Sequence, residues 1–120
     1  MDKILVAASN CHWLQYSISS FLTNQQSLGL QHLAFWAAVP HLWLDDRGPQ
    51  FLDRLNEQVA HSGMQVVSLQ PAPYNYTMVD PIRSPRGEAS LCYYRHAAWI
   101  AAQWQVPLLL EVDEGCLDIP

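Results

Sequence analysis

This sequence is short of charge. Asp, Glu, Lys and Arg make up 14% of its 120 residues, against ~25% in an ordinary soluble domain. Hydrophobic residues make up 50%. That excludes a disordered or polyelectrolyte chain, which needs low hydrophobicity and high net charge. So little polar surface points to an oligomer interface or to further chain. Basic residues are the scarcest: Lys3, Arg47, Arg54, Arg83, Arg86 and Arg95 form no run, and the net charge is −5. Without a basic patch to neutralise phosphates, no nucleic-acid partner is expected. No apolar stretch approaches the ~20 residues that span a bilayer, so no membrane partner is expected either. Met1-Asp2-Lys3-Ile4 carries no basic region or cleavage site of a secretory signal. Cys11, Cys92 and Cys116 are an odd number without a CxxC pair. They read as reduced thiols in a cytoplasmic protein, not as a disulfide framework or a zinc site. GxGxxG and GxxxxGK[ST] are also missing, which disfavours a dinucleotide-binding or P-loop protein.

What is present is alternation. The run Ile4 to Ala8 reads as a buried strand. Leu14, Ile18, Phe21, Leu22 and Leu28 fall near helical spacing, and Gly29 is placed to end that helix in a left-handed conformation. Leu33 to Ala38 reads as a second strand. Pro49 can open a second helix, whose face is Phe51, Leu52, Leu55, Val59 and Ala60, with Gly63 just past its end. Val66 to Leu69 reads as a third strand, Glu88 to Trp104 as a third helix, and Leu108 to Val112 as a fourth strand. The order βαβαβαβ predicts an α/β fold with a parallel sheet and right-handed crossovers.

The connections are lopsided. Helix-to-strand links are short, whereas those from about residue 37 to 48 and from 70 to 87 are long. Ligands of parallel α/β folds bind at the carboxyl ends of strands, so the long loops mark the functional face. A fourth strand with no helix after it would leave apolar surface uncovered. The expectation is one partial domain, residues 1–120: the N-terminal half of a (β/α)8 TIM barrel, truncated after strand four. A whole barrel takes ~250 residues.

The loop residues add a family resemblance. Phe35-Trp36-Ala37-Ala38-Val39-Pro40-His41 resembles the strand-two signature of the sugar phosphate isomerase/epimerase superfamily, the xylose-isomerase-like TIM barrels. Pro73-Tyr74-Asn75 followed by Asp80 resembles the loop after strand three in its fructoselysine-epimerase-like branch. Ser90-Leu91 and Gly115-Cys116-Leu117-Asp118-Ile119-Pro120 resemble the segment closing the family's first half. The resemblance implies a barrel that binds a sugar or sugar-amine adduct. A divalent metal (Mn, Co or Mg) in the intact family would polarise the sugar oxygens while carboxylates move a proton beside a carbonyl. The family's metal-binding and proton-shuttling side chains come from later strands, so this chain alone is expected to bind no metal and to lack activity. A zinc nuclease of the same fold would need histidines where Gln70 and Asp113 stand.

Four residues are the candidate substrate contacts. Trp36, at a strand end, can stack on a sugar face or simply fill core. His41, after Pro40, can bond a sugar hydroxyl or be a solvated loop histidine. Tyr74 and Asn75 can hold polyol oxygens, or Asn75 can merely stabilise its turn. No catalytic residue and no metal ligand is assigned. Asp45 and Asp46 read as solvated residues or a helix cap. Glu111, Asp113, Glu114 and Asp118 form an acidic group after strand four, but strand alternation turns neighbouring carboxylates to opposite faces. Cys11 beside His12 has no third orienting group for a nucleophilic pair. Arg83 and Arg86 read as solvated unless a substrate carries a phosphate or carboxylate, and Trp99 and Trp104 read as packing. The expected partners are a sugar-type small molecule and either a second copy or a complementary half-barrel. The alternative to an isomerase half is a non-catalytic half-barrel that pairs with another chain.

Overall fold

The computed structural model of the chain describes residues 4–42, 49–72 and 85–110. The elements alternate as β1 (Ala7–Ser9), α1 (Ile18–Ser27), β2 (His32–Ala37), α2 (Pro49–His61), β3 (Gln65–Pro71) and α3 (Pro85–Trp104). The sheet is parallel and its order follows the chain, β1-β2-β3. Leu108 extends it by a single parallel bridge to Leu69, closed by Leu69 N–H to Pro107 O at 3.0 Å and Leu109 N–H to Leu69 O at 2.8 Å. The expected fourth strand is thus one bridge among the described residues, and residues 111 and 112 lie outside them.

Local chemistry sets the helix ends. α1 begins later than its apolar spacing suggested, because Ser17 caps it: its hydroxyl accepts from Ser20 N–H at 3.1 Å. Leu14 and Tyr16 belong to the turns before it, where Trp13 N–H and Tyr16 N–H donate to Asn10 O and Trp13 O. Gly29 ends α1 at φ 75° and Gly63 follows α2 at φ 71°, both in the left-handed region that glycine adopts without a Cβ clash. Ser17→Ala should cost ~1 kcal/mol by removing the cap. Urea titration followed by circular dichroism checks this, and an unchanged midpoint would contradict it.

Along β2, Leu33, Phe35 and Ala37 are buried while His32, Ala34 and Trp36 are half-buried. The buried set joins one cluster with Phe21 and Leu22 of α1, Leu52, Leu55 and Val59 of α2, Leu69 of β3 and Ile100 and Ala101 of α3. All three helices therefore bury against the same face of the sheet. Trp104 seals the cluster edge-on against Phe35, with ring centroids 5.5 Å apart, and its indole N–H donates to Asn56 Oδ1 at 2.6 Å. The opposite face carries Ser9, Ala34, Trp36, Ser68 and Gln70, as the ladder partners and strand alternation require. A sequential parallel order with right-handed crossovers puts every helix on one side. A doubly wound sheet, by contrast, reverses its order and covers both sides.

Candidate functional site

β1 ends at Ser9 while β2 runs on to Ala37, so Trp36 has lost its neighbouring strand on that side. The side chain of Asn10 takes the place of the missing peptide. Its Oδ1 accepts from Trp36 N–H at 2.6 Å, and its Nδ2 donates to Trp36 O at 2.9 Å. These two bonds fix which end of the amide is which. The same Nδ2 lies 3.0 Å from His41 Nδ1, so Nδ1 must be the acceptor. His41 Nε2 then carries the hydrogen and donates to Tyr16 O at 2.7 Å. Asn10 and His41 are both buried, and the imidazole stacks on Phe21 with ring centroids 6.4 Å apart.

This network ties three segments together at the carboxyl end of the sheet: the turn after β1, the end of β2 and the approach to α1. The turn that delivers His41 follows directly from β2. Ala38 N–H donates to Trp36 O, His41 N–H donates to Ala38 O, and the Val39–Pro40 peptide is cis. On the other side, the Tyr93 hydroxyl of α3 accepts from Ala72 N–H at 2.6 Å, just past β3. It donates to Ala37 O at 3.3 Å, at the end of β2. Burial raises the Tyr94 phenol above its usual pKa.

The structure brings Trp36 and His41 to one end of the sheet and joins them through Asn10. Trp36 is half-buried on the face that the helices leave open. His41 is neither a solvated residue nor an open hydrogen-bonding group, since both ring nitrogens are engaged within the chain. Tyr74 and Asn75 lie outside the described residues, as do Asp45, Asp46, Arg83, Glu111, Asp113, Glu114, Cys116 and Asp118. No motif in the sequence marks Asn10 or Tyr93. The only local signal for Asn10 is its place directly after a strand, which reads equally well as a turn residue.

Among the described residues, Cys11 and Cys92 are free thiols. Among the same residues, no group of three or more His, Cys, Asp or Glu is placed to hold a metal ion. No helix there is long and apolar enough to cross a membrane. A groove of ≈ 390 Å³ between α1 and α2 is lined by Ser19, Gln26, Glu57 and His61 among others and contains none of the strand-end residues. What the described part of the carboxyl end can do chemically is present the half-buried Trp36 ring on a braced frame. No family model, no curated protein and no solved structure matches this chain.

Proposed function

We propose that the chain is a half-barrel of the sugar isomerase/epimerase kind, whose part is to supply substrate-contacting loops. The observation that carries this reading is the singly wound sheet, with three helices on one face and Ser9, Ala34, Trp36, Ser68 and Gln70 on the other. A segment of a (β/α)8 barrel has that arrangement, its inner face lining the barrel and its strand ends building the site. The sugar chemistry rests on the strand-two and strand-three loop motifs. In this reading Trp36 stacks on a sugar face, Asn10 and His41 hold the Trp36 backbone and its turn in place, and Tyr74 and Asn75 contact polyol oxygens. In the complete barrel a divalent metal would polarise the sugar oxygens. The described residues offer no donor set for it, and in this reading the groups that move the proton are not among them.

One observation favours the second reading, a half-barrel that acts only as a pairing module: His41 has both nitrogens committed inside the chain. Saturation-transfer NMR separates the two. The native chain is mixed with a ketose and with a fructosamine-type adduct. Transfer to the sugar protons is expected, and it should vanish in Trp36→Ala with the circular dichroism unchanged. No transfer from the native chain would overturn the sugar reading and leave the pairing module. With Mn²⁺, Co²⁺ or Mg²⁺ added, the chain alone should put no solvent deuterium on the carbon beside the carbonyl. Metal-dependent exchange would contradict the assignment of the chemistry to other segments.

A further inference from the structure

We infer that two copies of this chain pair edge to edge, in parallel, to close an eight-stranded barrel. The inference rests on the half-barrel reading and adds the occupant of the open edges. Both edges carry exposed aliphatic residues. Before β1, Ile4, Leu5 and Val6 are 92%, 61% and 63% exposed, and beyond the Leu108 bridge, Leu109 and Leu110 are 47% and 61% exposed. Neither edge offers a charge among these residues to block pairing, although charges are the usual guard on an open strand.

A second copy fits because the two edges differ and run the same way. Each copy offers four strand positions, counting Leu108, and a half-turn about the barrel axis sets the last of one beside the first of the other. Both seams then form at once and the ring closes, where an unclosed contact of this type would grow into a filament. The register agrees as well. Ser9, Ala34 and Ser68 stand in one row of the ladder, and Phe35, Leu69 and Leu108 in the next. Asn10, one residue past Ser9, is therefore level with Leu108. An eight-stranded parallel barrel has a shear of about eight, so each half-circuit slips about four residues toward the strand start. Four residues back from Asn10 is Val6. Leu108 of one copy thus meets Val6 of the other, and Leu109 and Leu110 follow alongside Ala7 and Ala8. The faces match too: Leu108 shares the helix side with Leu69, and Val6 shares it with Ala8.

Sedimentation equilibrium of the native chain should give twice 13.6 kDa. Val6→Lys should return the mass to a single copy with its helical dichroism kept, since that side chain is exposed in the isolated fold. For the geometry, Val6→Cys is put in one copy and Leu108→Cys in a differently tagged copy, both with Cys11, Cys92 and Cys116 changed to serine. A short bis-maleimide should join unlike copies as the main product. A native mass of 13.6 kDa at micromolar concentration, or a main product joining Val6→Cys to itself, would overturn the pairing. Sugar saturation transfer by a chain that stays single would remove the pairing alone and leave the half-barrel reading standing.

Discussion

Phe35→Ala should destabilise the fold by about 3–5 kcal/mol, the range for truncating a buried phenylalanine. The ring is fully buried at the centre of β2. It meets the Trp104 indole edge-on and sits in the cluster that receives all three helices. Removing it takes away the transfer free energy of the ring and leaves a cavity that α1, α2 and α3 cannot all collapse into. A domain of this size has about 5–15 kcal/mol to lose, so the variant stands at the margin of folding. Urea titration gives the size of the effect where the variant still folds. A variant already unfolded in water meets the expectation as well. A midpoint equal to the native one would show that the helices do not converge on this face.

Asn10→Ala should cost about 2–4 kcal/mol, which is large for a residue just outside a strand. The alanine removes the amide that serves Trp36 N–H and His41 Nδ1, while Trp36 O keeps the Ala38 N–H. A buried polar group stripped of its partner costs ~1–3 kcal/mol, and water reaching part of the site limits the total. Ser9→Ala, one residue earlier and exposed, is the control and should stay within about 0.5 kcal/mol of native. Equal effects for the two variants would mean that Asn10 does not take over the ladder where β1 ends. The same variant should blunt sugar saturation transfer through Trp36, because the Trp36 backbone loses both of its bonds to Asn10.

Most of the framework could be read from the chain itself, because it is written locally. Pro49 opens α2, the spacing of Leu52, Leu55 and Val59 gives its buried face although Ala60, expected on the same face, is exposed, and Gly63 follows its end. Gly29 ends α1 at a positive φ as its position suggests. The shifted boundaries have one non-local cause and one local one. Ile4 to Val6 form an apolar run, yet β1 begins only at Ala7, where His32 supplies the ladder partner. Leu14 has helical spacing, but the Ser17 cap, through its local bond to Ser20 N–H, settles the start of α1 at Ile18.

The site was less legible because its contacts are non-local. Trp36 and His41 could be singled out from the long loop after a strand. What His41 does depends on Asn10 and Tyr16, which lie 31 and 25 residues away in the chain. No spacing rule brings those residues together. Only the parallel register of β1 on β2 does so. Tyr93 is similar: its hydroxyl reaches Ala37 and Ala72 from a helix whose periodicity speaks only of packing.

Strand order is where the half-barrel reading stands or falls, and interstrand nuclear Overhauser effects on labelled chain report it directly. Contacts should run from Ala8 to Leu33, from Phe35 to Leu69, and from Leu69 to Leu108, following the sequential ladder. A sheet in which β1 lies between β2 and β3, with backbone contacts from Ala8 to Val66, would be doubly wound. It would contradict both the helix-free face and the barrel half proposed on it.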